Sequence, residues 1–80
     1  MQLKILPFGI TKDIISESVL YFEYNKDVTV GFLRATLLQR YPALERLNSL
    51  AIAVNGEYAL DEQGIKSGDE IVLIPPVSGG

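Results

Sequence analysis

Residues 29–42 read TVGFLRATLLQRYP, and the patterning of that stretch decides the fold. Val30, Leu33, Leu37, Leu38 and Tyr41 recur at i, i+3, i+7, i+8 and i+11, which lays one apolar stripe along an α-helix. Arg34, Gln39 and Arg40 border that stripe or face away from it. Thr29 stands where an N-cap belongs, its hydroxyl placed to accept one of the helix's unpaired backbone N–H groups. Pro42 stops the helix, because the residue before a proline is pushed out of the α region. A helix with a single apolar stripe has to bury it against something, and the flanking segments supply a sheet.

Upstream, Val19–Tyr24 (VLYFEY) is dense in β-branched and aromatic residues and predicts a strand. Gln2–Phe8 predicts another, with Leu3 and Ile5 on one face and Lys4, Leu6 and Phe8 on the other. Pro7 has no N–H for a ladder, so this strand should end or lie exposed there. Gly9–Ser18 reads as one helical turn and a loop, giving a hairpin-like return between the two strands. Asn25, Lys26 and Asp27 break the second strand before the helix. Downstream, Ala51–Val54 is a third strand, and Asn55-Gly56 is the dipeptide favoured by a type I′ hairpin turn. Glu57–Leu60 is the returning strand, Asp61–Asp69 a turn-rich connection holding Gly64 and Gly68, and Glu70–Ile74 (EIVLI) the last strand. The order ββ, helix, βββ implies an α+β domain, a mixed sheet of four to five strands with one main helix across it. That domain spans 1–74, and 75–80 forms a flexible, protruding diglycine tail.

The chain has 80 residues, 48% of them apolar, which makes one small domain with a thin core. Ten acids against seven bases leave a net charge of −3, the wrong sign for a nucleic-acid footprint. Cysteine and histidine are both absent. Disulfides, thiolate or imidazole metal sites, cysteine nucleophiles and imidazole-based triads are thereby excluded. MQLKILPFGI has no basic leader region and no cleavage motif, so it does not read as a signal peptide. No window approaches the ~20 apolar residues of a membrane span. A soluble, cytoplasmic unit is expected.

Pro75–Gly80 (PPVSGG) follows the last strand directly. Two prolines favour a stiff extended start, and two glycines leave the tip without side chains. Fully extended, such a tail reaches roughly 20 Å at ~3.3–3.6 Å per residue. The only reactive group at its tip is the terminal carboxylate. That group is ionised at neutral pH and is a poor electrophile, so chemistry there requires activation by another protein. Terminal diglycines also occur as frayed chain ends. The prolines and the strand feeding straight into them favour a working tail, an activated or inserted C-terminus.

The ending DEIVLIPPVSGG resembles that of the MoaD-type sulfur carriers, the small-subunit family of molybdopterin synthase, within the ubiquitin-like β-grasp fold. The resemblance extends to the LKILPFG opening, to Arg40-Tyr41-Pro42 at the helix end and to AIAVNGEY at 51–58. SGDEIVLIPPVSGG at 67–80 is its most specific segment. Pro7 departs from it, since relatives often carry an aromatic or aliphatic residue there. The resemblance implies that an E1-like enzyme uses ATP to adenylate Gly80 and that a sulfur donor protein converts the adenylate to a thiocarboxylate. It further implies that the tail (Pro75, Pro76, Val77, Ser78 and the clearance residue Gly79) enters the large subunit. There two carriers deliver the dithiolene sulfurs to cyclic pyranopterin monophosphate, in an assembly of two small and two large subunits. No cofactor or metal is expected on this chain, and no nucleic-acid or membrane partner. Two alternatives share the fold: a carrier for thiamine synthesis or tRNA thiolation, and a ubiquitin-like modifier joined to lysines.

A further expectation follows from strand alternation. If Leu3, Ile5, Ile71 and Leu73 face the helix, then Leu6, Phe8, Val72 and Ile74 lie on the opposite face. Tyr58 is expected to join them in an exposed apolar patch at the base of the tail, the mark of a protein partner. By the resemblance, Phe8, Tyr58 and Ile74 lie at the large-subunit interface. Asp61-Glu62 and Asp69-Glu70 read as turn acids, not metal ligands, with Asp69 bonding nearby backbone. Lys4, Arg34 and Lys66 are surface cations, either solubilising or available to an activating enzyme.

Overall fold

A computed structural model describes residues 1–47 and 49–76. In chain order the elements are β1 (Gln2–Pro7), α1 (Ile10–Ile15), β2 (Leu20–Glu23), β3 (Val28–Thr29), α2 (Val30–Arg40), a 3₁₀ segment (Pro42–Arg46), β4 (Ala51–Val54), β5 (Glu57–Tyr58), β6 (Gly64–Ile65) and β7 (Glu70–Ile74). Five strands form one sheet in the order β2-β1-β7-β4-β5. The central pair, β1 and β7, runs parallel and every other pairing in this sheet is antiparallel. The expected α+β architecture, a mixed sheet carrying one main helix, is what the chain adopts.

Register explains the core. Ile5 pairs with both Leu20 and Ile71, Ile71 with Val54, and Leu73 with Pro7 and Ile52, so one sheet face is a continuous aliphatic layer. Val30, Leu33 and Leu37 of α2 are fully buried in the same cluster, together with Leu3, Leu44 and Ile65. Leu38 and Tyr41, at the edge of the stripe, are only partly buried. Each aliphatic side chain so enclosed contributes about 1.5–3 kcal/mol relative to full exposure.

The N-terminus of α2 is closed from three directions. The Phe32 N–H donates to the Thr29 hydroxyl at 3.1 Å, confirming the cap. The Val30 and Gly31 N–H groups donate to the carbonyls of Gln63 and Asp61, each at 2.9 Å. Arg34, read from sequence as a surface cation, reinforces this junction: its Nε donates to Asp61 at 3.1 Å and its guanidinium to the Leu50 carbonyl. The connection 61–69 is therefore more ordered than its glycines suggest, and β6 within it pairs with β3 as a separate two-stranded ladder. At its end, the Asp69 carboxylate accepts from the Lys66 N–H (2.8 Å) and from Asn55 (2.9 Å), while the Glu70 N–H donates to the Asn55 side chain (2.9 Å). Asn55 and Gly56 have φ of 54° and 87°, the positive values that the hairpin turn requires.

Around Pro7 the expectation holds, one strand needs correction and one segment is new. Pro7 ends β1, as expected, and is buried there. The Phe8 N–H donates to the Leu73 carbonyl (3.1 Å), so by alternation the Pro7 nitrogen faces the β2 side. β2 begins only at Leu20, opposite Ile5, so the missing donor forfeits no rung. The strand expected over Glu57–Leu60 stops at Tyr58, and Leu60 is exposed. Residues 42–46, left without assignment by the sequence pattern, form the 3₁₀ segment that drives Leu44 into the core.

Two stability outcomes follow. A Cβ on Gly31 would stand 3.0 Å from Asp61 Cβ and 3.2 Å from the very carbonyl oxygen that holds the Gly31 N–H. Gly31→Ala should therefore lower stability by about 1 kcal/mol, the ~1–3 kcal/mol of overpacking outweighing the ~1 kcal/mol gain in helix propensity. An unchanged or raised urea midpoint would overturn this. The Asp69 carboxyl is held below its ordinary value of 3.8, first by the Lys66 N–H and then by Asn55. A depressed folded-state pKa contributes stability that is present above 3.8 and lost as pH falls through the folded value. Asp69→Asn should thus be less stable than wild type at neutral pH, with the gap narrowing below pH 3.8; parallel urea titrations at the two pH values test it.

Candidate functional site

Among the described residues no helix covers the sheet face opposite α2. Across it Leu6 pairs with Val72, Val72 with Ala53 and Ala53 with Tyr58, giving one lateral row over four strands. The next row, toward the end of β7, holds Ile74 opposite Ala51, with Phe8 just beyond β1 on the other flank. Leu6, Val72, Ala51 and Ile74 are half-buried by their neighbours, whereas Phe8 and Tyr58 stand out at 55% and 74% exposure. Ala53 is buried in the row because its side chain is short. At the far end of the same face, Tyr21, Lys4 and Glu70 form a polar row. An apolar centre bordered by charges is the composition of a protein-docking surface.

The structure thus brings Phe8, Val72, Ile74 and Tyr58 onto one face, as strand alternation predicted, with Phe8 and Tyr58 flanking β7 on opposite sides. Leu60, 73% exposed just past β5, was not singled out from the sequence. Period-two alternation through the strand expected at Glu57–Leu60 would have placed it beside Tyr58. Pro75 and Pro76 are half-buried where the chain leaves β7. Val77, Ser78, Gly79 and Gly80 lie outside the described residues.

The base of the tail rests on the turn between β1 and α1. Gly9 has φ 57° and ψ −135°, a conformation that L side chains rarely adopt. A Cβ built on it would lie 3.1 Å from Pro75 Cγ and 3.8 Å from Pro75 Cδ. Thr11, fully buried, donates both its backbone N–H and its hydroxyl to the Phe8 carbonyl, and the Lys12 N–H donates to Gly9 (3.1 Å).

Other candidate chemistry is dispersed. Asp61 is paired with Arg34 and Asp69 with the turn backbone, as the turn-acid reading anticipated for Asp69. Among the described residues no three acidic, histidine or cysteine side chains gather as a metal site. No helix among them is long and apolar enough to cross a membrane. What the surface offers is an open apolar sheet face whose margin leads to Pro75 and Pro76.

Comparison with known proteins places this arrangement. The molybdopterin synthase sulfur carrier subunit of Dictyostelium discoideum is 40% identical, covering 99% of this chain and 96% of the relative. The crystal structure of SAMP1 from Haloferax volcanii matches with a TM-score of 0.82 at 28% identity over the whole of both chains. A chain in the complex of subunits 1 and 2 of the molybdopterin-converting factor from Helicobacter pylori matches at 32% identity, also over both full lengths, with a TM-score of 0.68. A profile of the ThiS family matches residues 8–80, taking in β7 and the whole diglycine segment. With fold and sequence in agreement over nearly its entire length, the chain belongs to the ThiS/MoaD family of β-grasp proteins.

Proposed function

We propose that this protein is the cytoplasmic sulfur-carrier small subunit of molybdopterin synthase, with the terminal carboxyl of Gly80 as its covalent site. The observation that carries the reading is the adjacency of an open apolar sheet face to the base of a tail that the sequence ends in two glycines. A partner gripping Phe8, Val72, Ile74 and Tyr58 would hold the tail base against its own surface. The name of the Dictyostelium relative and the two-subunit complex from Helicobacter support the same reading.

The chemistry divides between this chain and its partners. An E1-like enzyme directs the Gly80 carboxylate onto the α-phosphorus of ATP; a new C–O–P linkage forms and pyrophosphate leaves. A sulfur donor protein delivers sulfur at the sulfide level to the acyl carbon, the C–O bond to AMP breaks, and a thiocarboxylate remains. The thiocarboxylate sulfur then attacks a side-chain carbon of the pterin precursor in the large subunit; a C–S bond forms, the C–O bond at that carbon breaks with its oxygen leaving as phosphate or water, and hydrolysis of the resulting thioester returns the carboxylate. Two such deliveries complete a dithiolene, which suits an assembly of two small and two large subunits. With neither cysteine nor histidine, the chain supplies no side-chain nucleophile or imidazole base, and the partner provides acid, base and pocket. Gly79 keeps the approach to the acyl carbon narrow.

A second reading is favoured by one comparison: the SAMP1 likeness fits a ubiquitin-like modifier that forms amide bonds to lysines. The intact mass of the chain purified from its own cells separates the two. A terminal oxygen replaced by sulfur supports the carrier; lysine-linked conjugates support the modifier.

Extending the chain by one alanine after Gly80 should abolish pterin dithiolene formation with purified partners while leaving the unfolding transition unchanged. Persisting product would sink the assignment of Gly80. Phe8→Asp or Ile74→Asp should weaken large-subunit binding by about 2 kcal/mol or more, a ~30-fold rise in Kd. An unaltered Kd in a calorimetric titration would remove the sheet face from the interface.

A further inference from the structure

We infer that Gly9 is a positioning residue for sulfur transfer: the β1–α1 turn is a seat that sets the direction in which the tail leaves the sheet. The ladder shows why the chain departs there. In the parallel β1–β7 pairing the Phe8 N–H reaches the Leu73 carbonyl, so the next rung would run from the N–H of residue 75 to the Phe8 carbonyl. Residue 75 is proline and has no N–H. The acceptor is occupied as well, since Thr11 gives the Phe8 carbonyl both its N–H and its buried hydroxyl. Pairing therefore cannot continue past Ile74.

Once released from the ladder, the Pro75 ring falls into the space that Gly9 leaves by lacking a side chain. The seat is firm. Its backbone is held by the Thr11 and Lys12 hydrogen bonds, and its positive φ restricts the position to glycine. Pro75 has a fixed φ and the following proline restricts its ψ, so the ring's placement on Gly9 sets the heading with which Pro76 leaves the sheet. A methyl group at position 9 would stand 3.1 Å from Pro75 Cγ and push the ring outward by a few tenths of an ångström, changing the angle at which Pro76 leaves the sheet.

The inference rests on the carrier reading for its consequence, though not for its geometry, and two measurements keep them apart. The chain has no native cysteine, so nitroxides at Asp27→Cys and Ser78→Cys report the distance from the opposite end of the domain to the tail. Gly9→Ala should shift or broaden that distribution. Adding Pro75→Ala, which deletes the Cγ and Cδ that the new methyl would meet, should bring it back toward the Pro75→Ala single variant. In the reconstituted synthase, Gly9→Ala should lower the maximal transfer rate on the order of 10- to 100-fold with KM for the carrier changed no more than about twofold, the signature of a misaimed tip on an intact docking face.

An unchanged distribution in Gly9→Ala, or strictly additive effects of the two substitutions, would overturn the inference. Should Gly9→Ala fail to fold, Pro75→Ala alone must broaden the distribution, and a distribution identical to wild type would overturn it equally. If the wild-type chain neither acquires nor transfers sulfur, the carrier reading fails while the spin-label comparison still decides whether Gly9 seats the tail.

Discussion

The parallel pairing of β1 with β7 is the constraint on which the rest of this structure depends. It joins the first strand to the last at the centre of the sheet, where both can be enclosed on the α2 side. Ile5, Ile71 and Leu73 have no exposed surface there, and Leu3 almost none. Parallel neighbours cannot be joined by a tight turn, so the intervening chain has to cross the sheet, and α2 is that crossing. Placing β7 in the middle also means that the C-terminal segment emerges from the most firmly held strand. A tail hung from an edge strand would inherit the fraying of that edge.

The opposite face of the same two strands is what remains for recognition. Alternation means that every residue committed to the core has a neighbour committed to the outside. Ile71 and Leu73 under the helix entail Val72 and Ile74 on the open face. An apolar residue there is no help to a solitary domain, and Phe8 and Tyr58 at 55% and 74% exposure present surface that water disfavours. Such a surface makes sense when a partner covers it. The polar row of Tyr21, Lys4 and Glu70 then borders that interface at the end remote from the tail.

Much of this was legible in the sequence wherever a pattern runs for several residues. The α2 stripe, the Thr29 cap, the Asn55-Gly56 turn and the alternation of EIVLI all identify their elements, because each is a local steric or periodic requirement. What stayed hidden is made of contacts between distant segments. β6 and β3 are two residues each, too short to carry a period, and their pairing exists because the 61–65 segment caps α2 through the Asp61 and Gln63 carbonyls. The burial of Pro7 depends on where β2 begins, which no local rule specifies. Arg34 looks like any solvated cation until Asp61 and Leu50 are brought beside it. The aromatic and aliphatic members of the open sheet face could be named in advance because alternation reaches them; Leu60 lay just past the point where β5 ends.

The Gly9–Pro75 contact belongs to the hidden class, although both residues invite attention singly. A glycine after LPF reads as a strand terminator, and a proline after EIVLI as a strand stop. Their meeting follows from parallel register alone: residue 73 is paired with residue 7, so the residues two places beyond each are brought alongside one another. In an antiparallel arrangement the same two breakers would sit at opposite ends of the pair. Parallel topology therefore does two things at once, centring the last strand in the core and presenting the exit of the tail to the exit of the first strand. On the proposed carrier reading, a terminal carboxyl passed between enzymes needs reach at its tip and also a fixed point from which that reach is measured. The β1–α1 turn, locked by Thr11, is placed to be that point.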